Sequence, residues 1–292
     1  MEIVLRHRGR DVTEADVASI RKLIARHPAE SRRSLSKLLC AEWGWGQANG
    51  APRDMVCRGL MLALDRAGHI KLPPQRFLPP NPIALRAKPR TVEVDQTPME
   101  GALRGLGPLE VRQVRRTPEE PLFNSLMEAH HYLGYTQPVG EHLKHLVFAQ
   151  GRPVACFAFS SAPRHLGPSD RYIGWSPEAR RRNVRLAVYN TRFLVLPWIR
   201  VPHLASHLLG RMVRQLPVDW ARAYGHEVCF ALTFVDTTRF KGTCYRAANW
   251  VYLGRTTGRG NNAPTQEQTK TIKDVLGMPL CRDWREQMTS LA

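Results

Sequence analysis

The apolar positions of this chain change period several times, and the densest run lies between Arg192 and Leu209. Phe193, Leu194, Val195, Leu196, Trp198, Ile199 and Val201 come at the density of a buried strand. After Pro202 the spacing turns helical, with Leu204, Leu208, Met212 and Leu216 four apart. A strand that feeds a helix leaves backbone N–H groups at the turn, and these suit an anionic group; a plain packing unit has the same pattern.

A smaller region precedes this run. Thr13-x-x-Asp16 has the form of a capping box and opens a helix carrying Val17, Ile20, Leu23 and Ile24 on one face. Ser34 reads as the cap of a second helix with Leu35, Leu38, Leu39 and Trp43 inward. Pro52 starts a third, which Gly68 ends; Met55, Val56, Leu60 and Leu64 face inward, while Arg53, Arg58 and Arg66 lie on other faces. A short strand is expected over 70–72. Three helices and a terminal strand form the layout of a winged helix-turn-helix whose third helix reads DNA, with a helical protein-interaction module as the alternative. The stretch from 73 to 98 holds two PP pairs and no usable period, so it reads as a stiff linker between a domain at 1–72 and one at 99–292.

In the larger region a helix is predicted over 121–131, and strands over 143–149 and 154–160 joined by Gln150-Gly151-Arg152. Strands near 184–188 and at Phe193 follow, then the helix from Leu204 to about Tyr224. Next come a strand over 227–235 closed by Asp236, a short helix over 243–249, a strand over 250–255 and a terminal helix over 269–275. Hairpins followed by strand-helix-strand predict a mixed α/β sheet beside the helical, winged-helix-like domain.

Charge adds a partner. The chain has 43 Lys+Arg against 25 Asp+Glu, a formal net charge of +18. The excess is largely arginine, whose planar fork suits phosphate, so nucleic acid, DNA above all, is the expected partner; a merely basic surface is the alternative. Cys40, Cys57, Cys156, Cys229, Cys244 and Cys281 form no C-x-x-C pair and read as small buried hydrophobes, which argues against a zinc site or a disulfide framework. The first residues lack a sustained apolar core and no run approaches a membrane span, so a cytoplasmic protein with no membrane partner is expected.

The element order resembles the GNAT acyltransferase fold. RFLVLPWIRVPHLASHLLGRMV is similar to the strand and helix that hold coenzyme A pyrophosphate there, and TTRFKGTCYRAANWVYLGRTTG to the closing helix and strand. The GNAT loop typically reads Arg/Gln-x-x-Gly-x-Gly/Ala. Here Arg200-Val-Pro-His-Leu-Ala205 lacks the glycines and Pro202 has no N–H, so coenzyme A is expected to bind weakly or not at all. At the level of the whole domain, HHYLGYTQPVGEHLKHLV, YIGWSPEARRRN, YNTRFLVLPWIRVPHLASHLL and RFKGTCYRAANWVYLGRTTGRG together resemble the DruA-like family. That family is named for a component of the Druantia anti-phage system and has transposase-associated relatives. The resemblance spans about 120–260 and implies a prokaryotic DNA-linked role in defence or mobile elements, with other defence or transposition proteins as partners. It implies no particular reaction.

Polar residues inside these motifs are the candidate site. Asp236 ends a strongly apolar strand, where ligands of open α/β sheets sit, and could serve as a base or ligand; a cap for the turn TTRF is the equal alternative. Asn190 and Arg192 alternate with apolar neighbours, and Arg192 could clamp a phosphate. His130, His131, Tyr132 and Tyr135 cluster after a helix; one histidine or Tyr132 could transfer protons, and packing competes with that. Ser160, Ser161 and Tyr245 are weaker candidates. Arg180, Arg181, Arg182 and Arg185, beside Trp175, form a basic stripe for nucleic acid, as do Arg53 and Arg58; a solvated helix face competes. Asp236, Asn190 and Arg192 are expected to converge where the central strand and the next parallel strand splay, with Tyr245 facing the same space. A DNA-binding protein whose GNAT-like domain acts on nucleic acid is the leading reading, and a coenzyme A-dependent N-acyltransferase the alternative.

Overall fold

In the smaller unit, the antiparallel hairpin of β1 (Ile3–His7) and β2 (Arg10–Thr13) leads straight into a helix. Thr13 accepts a hydrogen bond from the Asp16 N–H, and the Asp16 carboxylate accepts from the Thr13 N–H at 2.8 Å, closing the capping box that opens α1 (Glu14–Arg26). Helices α2 (Arg32–Glu42) and α3 (Asp54–Arg66) follow. Val12, Val17, Ile20, Leu35, Leu39, Leu60 and Leu64 fill their shared core. The cap of α2 is Ser31 rather than Ser34, because the Ser31 hydroxyl takes the Ser34 N–H and the helix begins one turn earlier. The strand expected over 70–72 is not formed. Ile70 and Leu72 are buried, but the Leu72 N–H is taken by the Asp65 carboxylate at 2.9 Å instead of a neighbouring strand.

This computed structural model describes residues 3–7, 10–47, 50–77, 87–259 and 268–291. The chain divides into two units, Met1–Arg86 and Ala87–Ala292. Within the stretch 73–98, residues 78–86 lie outside the described residues. Its two flanks are held by their own units: Arg32 Nε donates to the Pro73 carbonyl at 2.6 Å, and the Val92 N–H donates to Ser125 at 2.8 Å.

The larger unit runs β3 (Met99–Glu100), β4 (Leu109–Gln113), α4 (Glu120–His130), β5 (His142–Ala149), β6 (Arg152–Ser161), α5 (Gly167–Ile173) and α6 (Pro177–Asn183). It continues with β7 (Ala187–Val195), β8 (Ile199–Arg200), α7 (Leu204–Tyr224), β9 (Phe230–Asp236), α8 (Thr243–Ala247), β10 (Val251–Arg255), β11 (Lys273–Pro279) and α9 (Trp284–Thr289). Seven strands form one sheet in the order β10-β11-β9-β7-β6-β5-β4, and β7 with β9 is its parallel pair. The long α7 makes that crossover and lays Leu204, Leu208, Met212, Leu216 and Trp220 on one face of the sheet. On the other face Phe230, Leu232 and Val275 pack with Ile173, Trp284 and Met288. Burial on both faces explains why these strands read as nearly continuous apolar runs. Among the described residues no helix is long and apolar enough to cross a membrane.

The structure differs from the sequence expectation in two places here. The two strands expected around 184–188 and 193 are one strand, β7. The helix expected over 269–275 is absent; the chain there enters β11, which inserts between β9 and β10. Gly277 permits the insertion, because a Cβ at that position would stand 2.6 Å from the Phe230 ring and 2.8 Å from Leu253.

Candidate functional site

Strands β7 and β9 pair only from Ala187↔Phe230 to Asn190↔Thr233 and then part. A bulge accompanies the parting. Phe159 faces Asn190 and Ala158 faces Arg192, which leaves Thr191 without a partner across the pair. The opening is a cleft of about 500 Å³ walled by β7, β9, the end of α4 and the start of α8. All of Tyr132, Asn190, Arg192, Asp236 and Tyr245 line it.

Their states differ. Asn190 is buried and fully engaged: its amide donates to the Ala158 and Arg192 carbonyls at 3.0 Å each and accepts the Tyr245 hydroxyl at 2.6 Å. Burial pushes the Tyr245 phenol well above its ordinary range, so it stays a donor. These two residues build the wall rather than present free groups.

Arg192 is the reverse. It donates to the Thr191 carbonyl at 2.8 Å, but its Nε is buried without a partner, and the acidic groups nearest it are the phenols of Tyr189 and Tyr132, which are neutral at pH 7. Burial lowers its proton affinity from the ordinary value. A guanidinium at this depth usually carries a carboxylate. His131 stands beside it, and burial, with help from Arg192, depresses its pKa to about 4. Its Nδ1 accepts the Leu133 N–H at 3.2 Å, so the neutral ring carries its proton on Nε2 and is a donor there. Burial and the Asp236 charge raise the Tyr132 phenol. The Tyr132 ring lies 4.8 Å from His131 and 5.3 Å from Phe240, with the Arg239 guanidinium 5.2 Å above it.

Asp236 acts as a turn cap. Its carboxylate accepts from the Thr238 hydroxyl at 2.7 Å, the Thr238 N–H at 3.2 Å and Thr271 at 3.3 Å. The Thr238 hydroxyl, more than any other group, holds its pKa below the ordinary value. Its own carbonyl takes the N–H groups of Arg239 and Phe240, which fixes the turn that carries Phe240 and Lys241 to the cleft. A carboxylate in this condition is ionised at neutral pH and is a weaker proton acceptor than an unperturbed one.

His130 also lines the cleft and packs edge-on against Trp198 at 5.1 Å. The remaining candidates lie elsewhere. Tyr135 belongs to a neighbouring pocket with Ser160 and the buried Lys144. Lys144, which sequence reasoning passed over, donates to Glu120 at 2.7 Å and to Asn124 and the Tyr135 hydroxyl at 2.8 Å each. In the strand string LKHLVFA a lysine reads as the solvent side of a pleat, and only partners from distant segments reveal it as interior. Ser161 is exposed and bonds the Glu141 carbonyl. In the arginine stripe, Arg180 pairs with Asp170 at 3.3 Å, Arg181 with Glu178 at 2.9 Å, and Arg182 donates to the Leu291 carbonyl. Arg185 is exposed, whereas Trp175 is half-buried and donates to Asp170 at 3.2 Å. In the smaller unit Arg53 is exposed and Arg58 pairs with Asp54 at 3.4 Å.

The turn before α7 is a poor pyrophosphate cradle. Pro202 offers no N–H, the Leu204 N–H goes to the Val201 carbonyl at 3.3 Å, and His203 holds φ 64° with a side chain where glycine would leave room. These residues do not fit coenzyme A pyrophosphate.

A parted parallel pair with a bulge, a long crossover helix and flanking antiparallel hairpins is a GNAT-like mixed sheet. The family described as Druantia protein DruA matches residues 92–263, and the chain belongs to that family. No curated protein matches the chain. Among solved structures, it is similar to an N-acetyltransferase from Staphylococcus aureus at 11% identity and TM-score 0.37, over 60% of this chain and 99% of that one. A GNAT-family acetyltransferase from Streptococcus pneumoniae shares 13% identity at TM-score 0.38, over 59% and 99%. The polyamine N acetyltransferase of Drosophila melanogaster shares 12% at 0.37, over 59% and 100%.

Proposed function

We propose that this protein binds nucleic acid, DNA above all, and that the cleft between β7 and β9 receives one nucleotide of it. Arg192 carries the reading. A half-buried guanidinium whose Nε has no partner, and beside which no carboxylate stands among the described residues, is costly to hold, and an anionic ligand group offsets that cost. The surrounding groups suit the rest of a nucleotide: Tyr132, Phe193 and Phe240 offer ring surface, and His131 Nε2 offers a neutral donor. The cleft volume falls in the range of about 300–1,000 Å³ usual for small-ligand sites. The net charge of +18 supports a polyanionic partner.

In the smaller unit, α3 with Arg53 and Arg58 remains the proposed reader, in the manner of a helix-turn-helix. Arg180, Arg181, Arg182 and Arg185 are proposed as backbone contacts, with Arg185 the freest. Membership of the DruA family supports a place in anti-phage defence or a mobile element, beside other defence or transposition proteins. The alternative, a coenzyme A-dependent N-acyltransferase, lacks support at the turn before α7.

The experiment is fluorescence anisotropy of labelled single-stranded and duplex DNA across a salt series. Binding that weakens steeply with salt is expected, with Arg192→Gln reducing affinity about tenfold, the loss of one charge-assisted contact. No binding at low salt refutes the reading, and micromolar affinity for acetyl-coenzyme A by calorimetry promotes the alternative.

A further inference from the structure

The smaller unit has a pocket of its own, about 270 Å³, between the start of α2, the side of α3 and residues 72–76. Arg32, Arg33, Arg58 and Arg76 all line it, over an apolar floor that includes Met61 and Leu72. Among the described residues one carboxylate attends these four groups: Asp54 lies 3.4 Å from Arg58 and 4.0 Å from Arg33. Arg32 and Arg76 make no ion pair there. Each instead donates to a backbone carbonyl, Arg32 to Pro73 and Arg76 to Ala29, which orients the fork and, among the described residues, leaves its other N–H groups unengaged. Arg58 Nε is buried without a partner.

The placement on α2 sharpens the point. Arg32 and Arg33 are its first two residues, and its first turn contains no acidic residue, so like charge sits on the positive end of the helix dipole. By contrast α1 opens with Glu14 and Asp16, as the dipole favours. Four guanidinium groups gathered from three segments, with donors unengaged and one carboxylate among them, describe a site for an oxyanion with several acceptor oxygens.

We infer that this pocket binds a phosphate group, and that it is the smaller unit's grip on the nucleic-acid backbone, ahead of the exposed Arg53. The second half of that inference rests on the nucleic-acid reading above; the first half does not. The rim takes the phosphate oxygens, and the floor of Met61 and Leu72 takes the apolar edge of the adjoining sugar.

The test uses the full chain, with Arg32→Gln/Arg76→Gln as the pocket variant. Arg33→Gln is a second variant, because Arg33 is exposed and its side chain makes no hydrogen bond to backbone among the described residues. A control pair, Lys22→Gln/Lys37→Gln, removes equal charge from exposed positions outside the pocket and outside α3. Labelled DNA is titrated across salt, and thermal melting is followed in sodium phosphate against sodium chloride at matched ionic strength. Both pocket variants should lower DNA affinity about tenfold and flatten the salt dependence by about 0.7–0.9 per phosphate contact, while the control pair changes affinity less than about twofold. Phosphate should raise the melting temperature of the wild type and the control but not of the pocket variants. Equal losses in pocket and control variants, or no phosphate effect in the wild type, overturn the site. Stabilisation by phosphate that needs the pocket, without DNA binding by the wild type, keeps the phosphate site and defeats the nucleic-acid reading alone.

Discussion

The Tyr245 hydroxyl donates to Asn190 Oδ1 at 2.6 Å, joining α8 to the last residue at which β7 and β9 are still paired. Both groups are buried, and the bond sets the width of the cleft where the sheet opens. Removing the hydroxyl leaves an amide oxygen without its donor. Tyr245→Phe should therefore cost about 1–3 kcal/mol of stability. Urea unfolding measures it, and an unchanged midpoint would show that water replaces the phenol.

Asp236 caps its turn as an ion, so its contribution depends on pH. Its folded pKa lies below the ordinary 3.8, so the stabilisation is complete above that value and disappears as pH falls through the lower folded one. Asp236→Ala should cost about 1 kcal/mol at pH 7, the usual worth of a capping side chain. Asp236→Asn keeps an acceptor for Thr238 and should cost less. Melting curves of the wild type and the alanine variant should converge in strong acid; a constant gap would mean packing, not the charge, is at work.

His131 titrates near 4 in the folded chain against an ordinary 6.5. Between those values the unfolded chain binds more protons than the folded one, so stability falls as pH drops through that window and is unaffected by this group above it. NMR should show the His131 ring still neutral at pH 5. The slope of stability against pH from 6.5 to 4 should flatten in His131→Asn. An anion held by Arg192 would raise the pKa, which makes the same resonance a reporter of ligand.

Gly277 allows β11 to pass between Phe230 and Leu253. Gly277→Ala places a Cβ 2.6 Å from the Phe230 ring and should cost about 1–3 kcal/mol through overpacking. The small unit's hydrogen exchange should be unchanged, since this strand belongs to the other core. A neutral effect on stability would show that Phe230 can turn aside.

Several features were legible because they depend on neighbours in the chain. The capping box at Thr13 and Asp16 spans a single helical turn, and the helix beginning at Leu204 announces itself in apolar residues four apart. The gathering of Asn190, Arg192, Asp236 and Tyr245 could also be anticipated. Once a strand, a crossover helix, a parallel strand and a short helix are read in order, those positions fall at the ends that open together. Their roles could not be read this way. In sequence Asp236 reads equally as base or cap, and only the fold shows Thr238 and Thr271 on its oxygens; likewise only the fold pairs three members of the arginine stripe with Asp170, Glu178 and the Leu291 carbonyl.

By itself, then, the amino-acid order determined where apolar faces repeat, which residues could end a helix, the family resemblance and the excess of positive charge. Tertiary structure alone decided the rest, because those features are made of partners far apart in sequence. Lys273–Pro279 is a strand only because β9 and β10 supply hydrogen bonds on both sides, which outweigh a weak local preference. Lys144 is an interior residue only because Glu120, Asn124 and Tyr135 replace its water. Whether an arginine is free or engaged likewise depends on which carboxylate or carbonyl folding brings to it: among the described residues Arg192, Arg32 and Arg76 have no carboxylate partner, whereas Arg180 has Asp170. A charge retains its capacity for a ligand only where folding leaves it unneutralised.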